Sequence, residues 1–416
     1  MPRPRKNKKE ETEDTITSLN VCDRFFSESG AHFEDKFGNE VVSSAVEEST
    51  GLSYLEVPDL GLQWALGRKG FALGRIMYVV GFEGASKTSL SLWIANLAYA
   101  SGGFAAMIET EQAGSAEQMQ SYLEFPEKFR VFHPDTIEDA MSMSIAVLNM
   151  YAKLDPEGKI PKVLIMDSIA GSTDSRTTED EDTLQNAKVG GTAKLIKDAT
   201  NLIKIKLRQT NTLWVVLNQG RDLINTEGGM MGRVPEIDKI VATGGRALPF
   251  AATYYLILKK NAAIKDSTGK SGFKVKATFK KNKLRSPYKE VFYHVKFGET
   301  LDFVEETINL LTLSKTLGIK KTKKGYSSVQ LGISEEEAMT EEELYEFAHS
   351  PENIKMFQEA LDIITDDVAL KYNPDEVPTK KKRKVKEDAI NVTDDGLKEA
   401  QSELVSSALQ SDEDIE

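Results

Sequence analysis

The residues whose types and spacing most clearly suggest chemistry lie in one short segment, Gly81-Phe-Glu-Gly-Ala-Ser-Lys-Thr-Ser89. An apolar run precedes this segment and a helical pattern follows it, so it would form the turn from a buried strand into a helix. In such a turn, backbone N–H groups surround phosphates, a lysine neutralises the β and γ oxygens, and a hydroxyl holds Mg²⁺. We predict a triphosphate loop in which Thr88 binds the metal and the phosphates contact Gly81, Glu83, Gly84, Ala85, Ser86, Lys87, Thr88 and Ser89.

Ser86 departs from the usual form of such loops, which have glycine directly before the lysine. Its Cβ would crowd the loop or require a different backbone conformation. The alternative interpretation is an ordinary Gly/Ser turn ahead of a helix. The order of strand, loop and helix favours the phosphate loop.

Three later apolar runs end in polar side chains that suit the same site. Asp167 follows one run and is placed to orient Mg²⁺ and its water shell. Glu109 and Glu111 follow another, where a carboxylate can act as general base toward a water molecule. Asn218 and Gln219 follow the third, where an amide can contact the γ-phosphate. Each taken singly also fits an ordinary strand end, so the assignment depends on their order behind the loop.

Alternating strands and helices would position these groups. Short apolar runs separated by amphipathic stretches are typical of a mostly parallel sheet covered on both faces. Two later runs alternate between polar and apolar residues and predict added antiparallel strands. The eight predicted strands are 75–80, 104–108, 130–132, 163–166, 213–217, 254–258, 273–279 and 289–296.

The composition indicates a soluble protein of two or three domains. The chain has 416 residues, 40% of them hydrophobic and 28% charged, and no apolar run approaches a membrane span. Cys22 is its only cysteine and the four histidines have no metal-ligand spacing, so we expect a reducing, cytoplasmic location without a secretory leader. We expect a disordered basic segment (1–15), an oligomerisation region (16–60), a core (61–304), a small helical domain (305–372) and a tail (373–416).

The charge is distributed unevenly along the chain. A net charge of −12 argues by itself against nucleic-acid binding. Residues 259–289 are nevertheless strongly basic, and the end of the chain is acidic. The acidic tail would either compete with DNA for basic surface or simply aid solubility. The basic cluster 380–386 is interpreted as DNA-binding or solvated, with nuclear import as the lesser alternative.

Several sequence segments around these sites resemble those of the RecA recombinase family. They are Ala72-Leu-Gly-Arg-Ile-Met77, Asp167-Ser-Ile-Ala170, the run 210–221, Thr243-Gly-Gly-Arg-Ala-Leu-Pro-Phe250 and Lys281-Asn-Lys-Leu-Arg-Ser-Pro-Tyr288. The resemblance covers about residues 52–345. It implies an α/β P-loop ATPase core with a mostly parallel sheet, a small N-terminal region and a small, mainly helical C-terminal domain. It further implies ATP and Mg²⁺ as cofactors, and a helical filament on single-stranded DNA that exchanges strands with duplex DNA in recombination and repair.

The resemblance also assigns roles residue by residue. Glu111 matches the water-activating glutamate, and Gln219 matches the γ-phosphate sensor that leads into a DNA-binding loop. Lys281 and Lys283 match a pair that reaches ATP across the filament interface, although a solvated strand face is the alternative for them.

Two segments, 178–191 and 222–242, match the family's DNA-binding loops. The second is rich in glycine and methionine, whereas the first is acidic, and both also fit plain surface loops. Because such loops can order on a phosphate backbone, the predicted DNA contacts are Lys188, Lys194, Arg221, Arg233 and Arg246. Single-stranded DNA-binding or loader proteins are further expected partners, and a membrane is not.

The departures from the family pattern are specific. Ser115 and Gln118 stand where the family places Asp and Tyr near the adenine, so we expect base stacking to be lost. Arg246 and Pro249 also differ from the family's Asn and Lys. This divergence is typical of a viral, phage-type or otherwise distant recombinase. Two alternatives stay open: a helicase-like motor ATPase of the same fold, and a weakly catalytic filament protein that coats DNA.

Overall fold

The computed structural model describes residues 51–111, 116–169, 191–222, 240–242, 245–266 and 269–364. The predicted segments 1–15 and 373–416, most of 16–60, most of the two segments predicted to bind DNA, and the residues Lys188, Arg233 and Ser115 lie outside these ranges.

Strands and helices alternate along the first part of the described chain, as predicted. The elements are β1 (Tyr54–Glu56), α1 (Leu60–Leu66), β2 (Gly70–Ala72), β3 (Ile76–Gly81), α2 (Lys87–Ala100), β4 (Phe104–Glu109), α3 (Ala116–Tyr122), β5 (Arg130–Phe132), α4 (Ile137–Leu154), β6 (Lys162–Asp167), α5 (Gly191–Thr210), β7 (Thr212–Asp222), β8 (Ile240–Ala242), α6 (Ala247–Ala251), β9 (Tyr254–Asp266), β10 (Gly269–Asn282), β11 (Glu290–Lys296), β12 (Leu301–Asp302), α7 (Val304–Thr312), β13 (Lys320–Lys321), β14 (Tyr326–Ser327), α8 (Glu341–His349) and α9 (Ile354–Ile364).

One large sheet dominates this part of the chain, in the order β12-β11-β10-β9-β3-β7-β6-β4-β5. The strands from β9 to β5 run parallel to their neighbours, whereas β10, β11 and β12 are added antiparallel. The predicted α/β class with a mostly parallel sheet is therefore confirmed.

The sheet is buried on both faces because its central strands contain continuous apolar runs, such as Ile76–Val80 in β3 and Val163–Met166 in β6. In β3, Met77 and Val79 face a core that includes Trp93 and Ile94 of α2. Tyr78 and Val80 face a second core, which includes α4 and α5. Helices on both faces leave the carboxyl ends of the parallel strands as the edge where polar groups can gather.

A third core joins α1 to the C-terminal helices. Leu60 of α1 packs with Ile308, Leu344 and Phe357. The N-cap residue Asp59 accepts hydrogen bonds from Leu62 N (2.6 Å) and from the hydroxyls of Thr307 (2.6 Å) and Tyr345 (3.2 Å). Burial raises the pKa of Asp59 to about 6. In the described ranges, no helix combines the length and the apolar character needed to cross a membrane.

Candidate active site

The predicted phosphate loop connects β3 to α2 and is shaped by its glycines. At Gly81 a Cβ atom would come within 2.8 Å of the Leu258 carbonyl oxygen, so the strand end can lie against β9 only without a side chain. Gly84 has a φ of +67°. Ser86 adopts the same left-handed conformation, with φ 69° and ψ 25°, and its side chain does not cap α2. The serine thus reaches the backbone conformation that usually calls for glycine, at a cost of about 1–2 kcal/mol.

Three of the predicted groups gather at the start of α2. Lys87 Nζ donates to the carbonyl oxygens of Gly81 (3.1 Å) and Phe82 (3.0 Å). Thr88 Oγ1 donates to Asp167 Oδ2 (2.6 Å). Burial, opposed by the hydrogen bond from Thr88 and assisted by the charge of Glu111, raises the pKa of Asp167 to about 6. Burial lowers the pKa of Lys87, although nearby carboxylates oppose this.

These side chains fit a magnesium ion that binds together with a triphosphate. A carboxylate and a hydroxyl are hard oxygen ligands, and Mg²⁺ is commonly held by one or two protein groups together with phosphate oxygens and water. The described ranges hold no cluster of three or more His, Cys, Asp or Glu side chains suited to a metal ion. The ion would therefore depend on the nucleotide for most of its ligands.

Glu111 lies where three strand ends meet. Its Oε1 atom accepts hydrogen bonds from Ser168 Oγ, directly after β6, and from Gln219 Nε2 of β7 at 3.1 Å. Glu109, at the end of β4, is paired in register with Asp167. The Glu109 carboxylate is buried and contacts His133 Nδ1 at 3.2 Å. The structure thus places Glu111 in contact with Gln219, whereas Glu109 contacts His133.

Asn218 and Gln219 have different surroundings, which the sequence could not distinguish. Asn218 is fully buried, and its Nδ2 donates to the Tyr78 hydroxyl at 2.7 Å. Its Oδ1 accepts from the Gln219 backbone N–H at 2.8 Å. Asn218 therefore fixes the backbone of its neighbour, and the Gln219 amide extends to Glu111.

The structure does not bring Lys281 and Lys283 to this loop. Lys283 N donates to Thr253 O, and Thr253 N donates to Ile76 O, so the lysine segment lies level with the start of β3. The phosphate loop follows the other end of that strand, five residues or about 17 Å away. Lys281 Nζ donates to the carbonyl oxygens of Pro249 (2.7 Å) and Phe250 (2.9 Å). The Phe250 side chain beside it is 81% exposed.

The described DNA-contact candidates flank the two predicted loops. Lys194 lies in the first turn of α5, Arg221 near the end of β7, and Arg246 directly before α6, and all three are exposed. A Cβ atom at Gly245 would be 3.6 Å from Ala193 Cβ, so the segments that carry Arg246 and Lys194 adjoin. β7 and β8 pair antiparallel, which holds the two ends of segment 223–239 side by side.

One group of residues beside the loop was not predicted. Tyr122, Lys260, Phe273, Val295 and Phe297 line a cavity together with Gly84–Ser89. These residues come from α3, β9, β10, β11 and the turn after it. Only the aromatic content of the segments was visible in the sequence, because no local pattern indicates that they meet.

Two of the matches with known proteins identify the family. The family model described as the RecA N-terminal domain matches residues 26–302. The chain is also similar to the protein RecA of Aquifex aeolicus (strain VF5), with 27% identity over 322 residues. That alignment covers 75% of this chain and 88% of the relative.

Proposed function

Because this chain belongs to the RecA family, we propose that it is an ATP-dependent recombinase that forms filaments on single-stranded DNA and promotes strand exchange with a homologous duplex. At the level of the family, its members are DNA-dependent ATPases that use ATP with Mg²⁺. The assignment of individual residues below is part of the proposal.

The observation that carries the proposal is the hydrogen bond between Gln219 and Glu111 (3.1 Å). Gln219 lies three residues before the end of β7, which leads directly into segment 223–239. A change at the γ-phosphate that moves Gln219 would move the start of that segment. The contact therefore supports a physical link between the hydrolysis site and a DNA-binding loop.

The proposed hydrolysis uses groups that the strand ends already hold together. The backbone of Gly84–Thr88 and the Lys87 ammonium bind the phosphates. Mg²⁺, held by Thr88 and Asp167, would neutralise charge on the phosphate oxygens. Glu111 accepts a proton from the attacking water, and the hydrogen bonds from Ser168 and Gln219 hold its carboxylate in position.

Lys281 and Lys283 would act on the nucleotide of a neighbouring protomer. Their distance from the loop of their own protomer leaves a neighbour as the place where they can meet a γ-phosphate. The exposed Phe250 ring beside Lys281 provides apolar surface for that contact. Hydrolysis would then require assembly, because part of the charge stabilisation comes from the next subunit.

DNA would bind along the face where the two predicted loops begin and end. Lys194, Arg221 and Arg246 supply positive charge there, and Lys188 and Arg233 are the proposed contacts within the loops. Phosphate contacts of this kind bind without regard to sequence and weaken with salt. Such binding suits a protein that must coat any single strand.

The direct test is ATP turnover with and without single-stranded DNA. Wild-type protein should hydrolyse ATP faster with DNA, and Lys87→Ala should abolish turnover. Lys323→Ala, which removes an exposed lysine far from the loop in sequence, is the matched control and should behave as wild type. Full turnover by Lys87→Ala would refute the phosphate-loop assignment.

Strand exchange with ATP and with a non-hydrolysable analogue tests the finer claim. We expect pairing in both cases and release of the protein only with ATP. The strained Ser86 backbone favours a second candidate, a weakly catalytic protein that coats DNA. DNA-bound filaments without measurable turnover would support that candidate, whereas closed rings in electron micrographs would indicate a helicase-like motor.

A further inference from the structure

The cavity beside the phosphate loop is large enough to hold more than phosphate. It encloses about 330 Å³, with Gly84–Ser89 on one side and Tyr122, Lys260, Phe273, Val295 and Phe297 on the other. Ligand pockets start near this volume and usually combine apolar walls with a few polar groups. Three of these side chains are aromatic, which is typical of a site that receives a flat ring.

The backbone of Tyr122 is hydrogen-bonded to α2, the helix that follows the phosphate loop. Asn96 of α2 is buried, and its Nδ2 donates to the Tyr122 carbonyl oxygen at 2.8 Å. The same amide accepts, through Oδ1, from Glu124 N at 3.1 Å. Asn96 lies nine residues after Lys87, about 13 Å along one rigid helix. The backbone of Tyr122 is therefore held at a fixed distance from the phosphates.

The opposite wall of the cavity is also aromatic, and part of it is exposed. The Phe297 side chain is 56% exposed, whereas Phe273 is buried, and their ring centroids are 6.2 Å apart. Lys260 Nζ lies 4.1 Å from the centroid of the Phe273 ring. The exposed Phe297 ring lies beside the polar phosphate loop, where contact with a second flat ring would remove its apolar surface from water.

Tyr122 lies on the same helix, α3, as position 118, where the resemblance predicts an aromatic residue beside the base and this chain has glutamine. Residues 118 and 122 are four apart on this helix, and such pairs lie on the same face, one turn from each other. Gln118 offers no ring, but a ring one turn farther along the same face lines the cavity.

We propose that the Tyr122 ring is the surface on which the nucleotide base stacks, in place of the aromatic residue that position 118 lacks. This inference rests on the proposed binding of ATP at Lys87 and Thr88. Because every base has a π-face, the contact would hold ATP and GTP alike.

The test compares a nucleotide with a phosphate chain that has no base. Binding of Mg²⁺-ATPγS, Mg²⁺-GTPγS and Mg²⁺-tripolyphosphate to the full chain is measured by calorimetry for wild type, Tyr122→Leu and Tyr122→Phe. Leucine keeps apolar bulk without a π-face, whereas phenylalanine keeps the ring. Tyr122→Leu should weaken both nucleotides about tenfold and leave tripolyphosphate unchanged. Tyr122→Phe should bind all three as wild type does.

The outcomes separate this inference from the proposed function. Unchanged nucleotide affinity in Tyr122→Leu would overturn the stacking role, as would an equal loss for tripolyphosphate. A wild-type protein that binds none of the three ligands would instead refute nucleotide binding itself. Tyr122→Trp adds a direct readout, because fluorescence of the new indole should be quenched by ATPγS and not by tripolyphosphate. Equal quenching by both would also overturn the inference.

Discussion

A mixture of two inactive variants provides a sharp test of a site shared between protomers. Glu111→Gln removes the proposed base and leaves the phosphate loop intact. Lys281→Ala removes a charge whose Nζ atom donates to the carbonyl oxygens of Pro249 and Phe250 rather than contacting the phosphate loop of its own protomer. Each variant alone should lose about 10²–10³-fold of DNA-dependent turnover, since a general base typically contributes about 10²–10⁴-fold and one preorganised stabilising donor about 10²–10³-fold.

Mixing the two variants on one DNA strand should restore part of the activity. In a head-to-tail filament each site joins the loop of one protomer to the lysines of the next. A site is complete when a Lys281→Ala protomer supplies Glu111 and a Glu111→Gln protomer supplies the lysines. Random mixing at equal amounts gives this arrangement at about one interface in four, so turnover should reach roughly a quarter of the wild-type value.

The assay is steady-state ATP hydrolysis on long single-stranded DNA as the mixing ratio varies. The rate should peak at equal amounts and vanish at both ends. A Glu111→Gln and Lys87→Ala mixture is the matched control, because both changes affect the same half of the site and no interface is then complete. Turnover that stays at the level of the single variants at every ratio would refute the shared site.

Three further predictions concern the loop, the interface and the C-terminal core. Ser86→Gly should remove left-handed strain and stabilise the fold by about 0.5–1 kcal/mol net of the added flexibility, so that the Tm rises slightly. Gly84→Ala should lower the Tm, and the opposite order would contradict the strain argument. Phe250→Ala, which truncates a ring that is 81% exposed, should weaken filament assembly in sedimentation assays without lowering the Tm, and unchanged assembly would exclude it from the interface. Asp59 has a folded pKa of about 6, above its ordinary 3.8, so its contribution to stability is complete below pH 4 and is lost as the pH rises through 6. Asp59→Asn should therefore gain stability relative to wild type between pH 4 and pH 7, by roughly 1–3 kcal/mol, and a pH-independent difference in Tm would contradict this.

The sheet and most of the predicted active-site strand ends were predictable because their signals are local. The central strands contain continuous apolar runs, and the runs in β4, β6 and β7 are followed by a polar residue at the carboxyl edge. Glu111 and Asp167 could be placed in this way, since parallel strands end together, and Thr88 was predicted from the loop motif before α2. Strand ends such as 217–222 were less precise: β7 runs to Asp222, five residues past the predicted apolar run.

Contacts between distant segments were not predictable. Leu60 N donates to His349 Nε2 at 3.1 Å, and Gly61 N donates to the Thr307 hydroxyl at 3.2 Å, across 246 residues or more. These bonds attach α1 to the C-terminal helices, although it is separated from them in sequence by the whole sheet. No periodicity or spacing encodes such a pairing, because it depends on how complete elements pack.

The two departures from the usual nucleotide site differ in what they can change. At Ser86 the phosphates would meet backbone N–H groups, so the side chain matters only through the φ of 69° that the backbone must reach. Serine can adopt that angle at a cost of about 1–2 kcal/mol, and the loop keeps its form. The nucleotide base, in contrast, would be contacted by a side chain. The aromatic ring that is absent at position 118 must therefore come from another position. Tyr122 can supply it because Asn96 donates a hydrogen bond that joins its backbone to α2, the helix whose first turn would bind the phosphates in the proposed site. The affinity for the phosphates should therefore be insensitive to substitutions at positions 86 and 118 that preserve the backbone. The affinity for the base should instead depend on one aromatic ring.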